Sequence, residues 1–260
     1  MTALRYVYGI VPQRAAASLD RAALRGIDDT PVRALTVAPL AAAVSDLDGD
    51  EWDADTLNER VQDVEWLAPR AEAHQGVNAK LLEIAGVVLP LSFGAMYRGD
   101  DGVRDMLRED LPAKEERLAS LEGRAEWVVT LVRDAQSAPA GAEADLRDLD
   151  RAIASSAPGR GYLLEKRRTT VAAEAAERAD ADAARIALDA LDAAAERTYR
   201  EPVARGGRDL VVLRVSLLAP RAATGAIAKA IASVGDGLRA NGYRVRASGP
   251  WPAYRFGALP

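Results

Sequence analysis

The stretch from Val87 to Tyr97, VVLPLSFGAMY, constrains the fold more than any other part of the sequence. Its opening apolar run is too short for a helix and begins with β-branched residues, which predicts a short strand from Val87 to Leu91 that is buried on both faces. Pro90 has no backbone N–H to donate, so we expect this strand at a sheet edge or with a bulge there. Phe93 and Gly94 then end it. A core strand followed by a turn is the simpler interpretation, and a binding site is the alternative.

A long helical pattern leads into this stretch. Asp53 is predicted to cap a helix whose apolar residues recur at spacings of three and four as far as Ile84, and Gly86 is predicted to end it. His74, the only histidine, falls on or beside the apolar stripe. We prefer a core-edge imidazole bonded to a backbone carbonyl over a catalytic or metal-binding role, because no second histidine exists to share a metal.

The rest of the first half mixes strands and helices. Leu4 to Val11 alternates as a strand, and β-like runs on either side of Pro39 suggest a hairpin or two edge strands. A short helix is expected near Ala15 to Leu24. Pro112 predicts a break near Leu111 and a second helix that runs to Leu121. We place a domain boundary after Gly123, which gives domains of residues 1–123 and 124–260.

The second half reads as strand, helices, strand, helix and strand, the order of a compact α+β sandwich. Tyr162 is predicted to open the longest helix, reaching about Tyr199, and Val171 to Ala184 are expected to project as an Ala-rich arm with little burial. A loop is expected in Gln136 to Gly141. The remaining predicted elements are the strand Ala125 to Arg133, the central strand Leu210 to Leu218, the helix Ala222 to Ala240 and the strand from Tyr243 to Ser248.

Composition and charge exclude several classes of protein. The net charge of -5 and the pI near 5.2 argue against nucleic-acid binding, which needs a basic surface. No apolar run is long enough for a membrane helix and no signal-peptide pattern opens the chain, so we expect a cytoplasmic protein that binds no membrane. The chain has no cysteine, which rules out disulfides and thiolate metal sites.

Enzymatic motifs are absent from the sequence. It contains no HExxH, GxSxG or Walker pattern, and Gly159-Arg160-Gly161 neither follows a strand nor ends in GK[ST]. The acidic segment Asp46 to Asp53 lacks the later ligand spacing of a calcium loop and is interpreted as a solvated turn. We therefore predict a protein that is not an enzyme and that has no cofactor and no metal site.

Trp251 lies between two prolines and is not expected to continue a sheet, so the aromatic C-terminal segment should be extended and either packed back on its domain or offered to a partner. Several motifs then occur in one order along the chain: Tyr6 to Val11, His74, VVLPLSFG, Glu126-Trp127, Tyr162-Leu163 and the closing GPWPxYxF from Gly249 to Phe256. Together they resemble the GvpL/GvpF family of gas vesicle proteins. The family pattern LPLRFGT carries Arg and Thr where this chain has Ser92 and Ala95.

This resemblance implies a two-domain α+β protein whose C-terminal domain is a modified ferredoxin-like α/β sandwich with a long helical insertion. It also implies a minor component or assembly factor of gas vesicles that binds the major shell protein, with other accessory proteins as further partners. The expected binding residues lie at the sheet edge and in the aromatic tail, where an apolar subunit would pair or dock. They are Pro90, Leu91, Ser92, Phe93, Tyr97, Trp251, Tyr254 and Phe256. The alternative is a helical adaptor that links other accessory proteins through the arm, without direct shell binding.

Overall fold

The computed structural model describes residues 4–49, 52, 57, 60–134, 143–203 and 210–258. The chain forms two units, and we call Met1–Glu126 with Pro250–Pro260 unit 1 and Trp127–Gly249 unit 2. The aromatic tail therefore belongs to the same unit as the N-terminal half of the chain. The predicted domain division after Gly123 stays a proposal.

The sheet of unit 1 is organised around its first strand. Its strands are β1 (Leu4–Pro12), β2 (Arg33–Val37), β3 (Leu40–Leu47), β4 (Leu89–Pro90) and β5 (Met96–Arg98). Their order is β2-β3-β1-β4, and β5 also pairs with β1. The side chains of Tyr6, Val7 and Tyr8 are fully buried, as expected of a central strand rich in aromatic and β-branched residues. The predicted hairpin around Pro39 is confirmed, since β2 and β3 pair antiparallel with Val37 opposite Leu40.

The segment from β4 to β5 forms an interrupted edge strand along β1. Because β3 pairs with β1 over its whole length, β4 and β5 share the other edge of β1. The Leu91 N–H donates to the Tyr8 carbonyl and the Val7 N–H donates to the Ala95 carbonyl, each at 2.9 Å. The edge position predicted from Pro90 is confirmed. The predicted extent, Val87 to Leu91, is wrong, because only Leu89–Pro90 pairs before the chain turns through Ser92 to Ala95.

The helices of unit 1 whose bounds lie within the described residues are α1 (Ala16–Arg21), α2 (Val64–Ala85), α3 (Gly99–Arg108) and α4 (Leu111–Leu121). The predicted cap Asp53 lies outside the described residues. Helix α2 begins only at Val64, where the Asp63 side chain accepts from the Glu65 N–H at 2.9 Å. It ends at Gly86, which has a φ of 77°, as the sequence predicts. The break before Pro112 is confirmed, and Asp110 makes the turn between the two helices with a φ of 44°.

Unit 2 combines a second sheet with three helices in the part of it that the structure describes. Its elements are β6 (Arg124–Arg133), which begins in unit 1, α5 (Glu143–Ala154), α6 (Pro158–Asp192), β7 (Arg197–Arg200), β8 (Leu210–Pro220), α7 (Thr224–Arg239) and β9 (Tyr243–Trp251), which ends in unit 1. The strand order is β7-β8-β6-β9, so β8 is an inner strand as predicted. The predicted loop Gln136 to Gly141 lies outside the described residues.

Two predictions for the long helix are wrong. Helix α6 ends at Asp192 rather than near Tyr199, because Arg197–Arg200 pairs antiparallel with β8. The stretch Val171 to Ala184 does not project freely: Ala175, Ala183 and Ala184 are buried. Small alanine side chains let α6 pack closely against α7 and β8, so a composition low in large apolar residues still forms a buried face. Within the described ranges, no helix has both the length and the apolar character needed to cross a bilayer.

Candidate functional site

The turn between β4 and β5 is held from inside the fold by two buried side chains. The Tyr6 hydroxyl accepts a hydrogen bond from the Gly94 N–H at 3.1 Å and lies 2.9 Å from His74 Nδ1. The imidazole of His74 also interacts with the backbone of Leu91. The Phe93 ring packs against those of Tyr6 and His74, with centroids 6.1 and 5.9 Å apart. These contacts hold the inner side of the turn in place.

His74 has a structural role in this arrangement. It is buried, as the interpretation preferred from the sequence requires. Burial lowers its pKa to about 4, against a smaller opposing effect of the Leu91 backbone, so the imidazole is neutral at neutral pH. Burial likewise raises the pKa of Tyr6. In the part of the chain that the structure describes, no three acidic or histidine side chains are grouped to hold a metal ion.

The outer side of the same turn faces a cleft of about 500 Å³, which we call the edge cleft. One wall is the segment from β4 to β5, a second is the junction of α3 and α4, and the C-terminal tail forms a third. Apolar and polar groups contribute to the lining in similar proportion. The lining residues are Pro90, Leu91, Ser92, Ala95, Tyr97, Met106, Glu109, Asp110, Ala113, Lys114, Tyr254 and Ala258.

Two acidic residues and one lysine lie at the junction of α3 and α4. Glu109 and Asp110 are exposed, whereas Lys114 is buried and its Nζ donates to the Glu109 carbonyl oxygen. The ammonium group is thus bound to the backbone at this junction. Burial raises the pKa of Tyr97, and the negative charge of Glu109 adds to that effect. Among the described side chains, none forms an ion pair with the carboxylate of Glu109 or Asp110.

The C-terminal tail is folded into unit 1 beside the cleft. The Phe256 side chain is buried, and its carbonyl accepts from Arg117 Nη1 at 3.2 Å. The Arg255 N–H donates to the buried carboxylate of Glu126 at 2.8 Å. Gly257 passes so close to Ala253 that an added Cβ would lie 2.6 Å from the Ala253 oxygen. These contacts make the tail a wall of the domain rather than a free extension.

Tyr254 lines the edge cleft and carries a buried hydroxyl group. Burial raises its pKa to about 12, and the nearby side chain of Asn78 opposes that shift. The two side chains do not reach normal hydrogen-bond geometry, so the Tyr254 hydroxyl and Asn78 Oδ1 are both enclosed without a hydrogen-bond partner among the described residues. Asn78 is otherwise well bonded, because its Nδ2 donates to the Tyr8 carbonyl at 3.0 Å. Unpaired buried oxygens of this kind are uncommon in folded proteins.

The predicted binding residues separate into two groups in the structure. Five of them line the edge cleft: Pro90, Leu91, Ser92, Tyr97 and Tyr254. The other three do not: Phe93 packs in the aromatic cluster, Phe256 is buried, and Trp251 ends strand β9 half-buried. The expectation that Trp251 could not continue a strand is therefore wrong.

Sequence reasoning missed the opposite wall of the cleft, formed by Met106, Glu109, Asp110 and Lys114. The helix break at Pro112 was visible in the sequence, but nothing in the pattern showed that this break faces the strand near Pro90.

A family model for "Gas vesicle synthesis protein GvpL/GvpF" matches residues 4–258. The chain belongs to this family. It is 29% identical to gas vesicle protein L of a Streptomyces species, over 98% of this chain and 93% of that protein. It is also 29% identical to gas vesicle protein L2 of Halobacterium salinarum, over 97% of this chain and 90% of the relative. Gas vesicle protein F of the same Streptomyces strain is 30% identical, over 96% and 98% of the two chains.

Solved structures of GvpF share the fold. The crystal structure of GvpF from an Anabaena species matches with a TM-score of 0.76 at 16% identity, and that from Microcystis aeruginosa with 0.70 at 18%. Both matches cover the whole of each chain. Membership of the GvpL/GvpF family connects this chain with gas vesicle formation, and this family is not a known enzyme family.

Proposed function

We propose that the protein is an assembly factor or minor structural component of gas vesicles that binds the major shell protein through the edge cleft. One observation carries this proposal: five of the residues expected to bind line a single cleft at the outer edge of the β4–β5 segment. An edge strand presents backbone groups that an added strand can pair with, and the adjoining cleft offers a place for its side chains. Other gas vesicle accessory proteins are further proposed partners.

The tail has a different part in this proposal from the one that its aromatic residues suggest. Because Phe256 is buried and the backbone around it is bonded to Arg117 and Glu126, the tail supports the cleft instead of offering free rings. Deleting Trp251 to Pro260 would therefore disturb the fold of unit 1 together with any binding. Point changes at the cleft mouth test the proposal more directly.

We also propose that the protein has two domains and that the C-terminal one, residues 124–260, is a modified ferredoxin-like sandwich. In its support, the described elements of unit 2 follow the order β-α-β-β-α-β if the hairpin of α5 and α6 counts as one helical layer. The sheet order β7-β8-β6-β9 fits that topology, with the second strand next to the third and the first next to the fourth. The α5–α6 hairpin would then be the long helical insertion.

Co-expression with the major gas vesicle shell protein and capture on a tag of this chain tests shell binding. Ser92 is exposed at the cleft, so Ser92→Trp should block the cleft without disturbing the core. Ser120, also exposed and outside the cleft, supplies the matched control Ser120→Trp. We expect the wild type and the control to capture the shell protein and Ser92→Trp to lose most of it. Equal capture by all three proteins would refute binding at the cleft.

The helical adaptor remains a second candidate because of one surface. Tyr162 and Leu163, near the start of α6, are 67% and 65% exposed, which is high for large apolar side chains. The double variant Tyr162→Ser, Leu163→Ser, tested by capture of co-expressed gas vesicle accessory proteins, separates the two functions. An accessory protein that the wild type captures and the double variant loses, with no capture of the shell protein by the wild type, would favour the adaptor.

A further inference from the structure

We propose that the segment recognised by the edge cleft is extended and carries an aliphatic side chain close to a lysine or arginine, whose cation pairs with Glu109 and Asp110. This inference rests on the proposed function, in which the cleft binds the shell protein. It adds the chemistry of the partner segment, which the proposed function leaves open.

The shape and lining of the cleft argue for an aliphatic group. Pro90, Leu91 and Met106 give it apolar walls, and its volume of about 500 Å³ lies within the usual range of binding pockets, about 300–1,000 Å³. The neighbouring strand β5 is at the edge of the sheet, so an extended backbone can lie along it while one side chain enters the cleft.

The charges at the mouth argue for a basic residue beside that aliphatic group. Glu109 and Asp110 are exposed, and no described side chain pairs with their carboxylates. Lys114, the one basic residue in the described lining of the cleft, is buried and bonded to the Glu109 carbonyl. Complementary charge at such a rim sets the choice of partner and the rate of association more than the final affinity.

This arrangement differs from that of the acidic residues at the start of helix α3. Asp100 is shared between Arg5 and Arg33, whose nitrogens lie 2.6 and 2.7 Å from its Oδ1, and Asp101 pairs with Arg104 at 2.8 Å. Those carboxylates are neutralised within the fold. The carboxylates of Glu109 and Asp110 at the cleft mouth can therefore pair with a cation of the partner segment. The adjoining cavity can hold the rest of that segment.

Short overlapping peptides that cover the major gas vesicle shell protein, labelled with fluorescein, provide the probe. Their binding to the full chain is followed by anisotropy at low and at high salt. The test variant is Glu109→Gln, Asp110→Asn, in which Asn is chosen because it tolerates the positive φ of Asp110. The control is Glu72→Gln, Glu116→Gln, which removes the same charge at exposed positions outside the cleft.

We expect the tightest peptide to be basic and to bind the test variant about three- to tenfold more weakly than the wild type at low salt, with the control unchanged. Replacing the basic residues of that peptide by Gln should cost a similar factor with the wild type and little with the test variant. Thermal unfolding of each variant shows that the fold is retained.

Two results would overturn the inference in distinguishable ways. If Ser92→Trp abolishes peptide binding but the test variant binds like the wild type at both salt concentrations, the cleft is the site and the charge preference is wrong. If neither Ser92→Trp nor the test variant changes binding, the proposed function of the cleft fails together with the inference.

Discussion

The buried histidine predicts how the stability of the protein depends on pH. His74 has a pKa of about 4 in the folded protein, against an ordinary value of 6.5. Between these values the unfolded chain binds a proton that the folded chain excludes, so stability is fully present above pH 6.5 and falls as the pH drops toward 4. A difference of about 2.5 pKa units corresponds to about 3 kcal/mol, of which about 2 kcal/mol is lost between pH 7 and pH 5.

The variant His74→Gln isolates this contribution. Glutamine retains a polar group for the Tyr6 hydroxyl and does not titrate, and the chain has no other histidine. The variant will be less stable at pH 7, because the packing of the imidazole against Tyr6, Tyr8 and Phe93 is lost. Its stability should nevertheless fall by about 2 kcal/mol less than that of the wild type between pH 7 and pH 5.

Urea unfolding at a series of pH values, followed by tryptophan fluorescence, measures both slopes. Carboxylates titrate in both proteins and cancel in the comparison. If the wild type and His74→Gln lose the same free energy of unfolding between pH 7 and pH 5, then burial does not depress the His74 pKa, and the account of how the β4–β5 turn is held is incorrect.

Two further predictions concern the C-terminal tail and the start of helix α3. Gly257→Ala should destabilise the protein by about 1–3 kcal/mol, because the new methyl group would lie 2.6 Å from the Ala253 oxygen. The control is Gly237→Ala in helix α7, where an added Cβ meets nothing within 4 Å. This variant should be neutral or stabilising by up to about 1 kcal/mol. Asp100→Asn should cost about 1 kcal/mol at pH 7, since Arg5 and Arg33 lower the pKa of that carboxyl, and the cost should shrink as the pH falls through the lowered pKa. Urea unfolding measures all three variants, and equal stability of Gly257→Ala and Gly237→Ala would contradict the tight path of the tail.

The sequence predicted the features that depend on local pattern. The buried strand β1, the inner strand β8 and the helix break before Pro112 follow from alternation, apolar runs and the missing proline N–H. The same reasoning overestimated α6 at its C-terminal end, because Arg197–Arg200 has no strong strand pattern and becomes a strand only by pairing with β8. A short strand of this kind depends on a partner that lies well along the chain.

The cleft itself could be predicted only from one side. Pro90 marked an edge strand and the turn after it, and Tyr254 was expected to bind a partner, but Met106 and Lys114 come from helices that meet that edge only in the folded protein. The sequence around those two residues looks like that of any ordinary helix. Burial of a lysine such as Lys114 leaves no local signal, since its partner is a backbone carbonyl.

The most direct test of the central claim is site-specific photo-crosslinking during gas vesicle formation. A photoreactive amino acid is placed at Ser92, at the mouth of the edge cleft, or at Ser120, on the exposed face of α4. Shell binding at the cleft predicts a crosslink from position 92 to the major shell protein and none from position 120. A shell protein that crosslinks from position 120, but not from position 92, would contradict it.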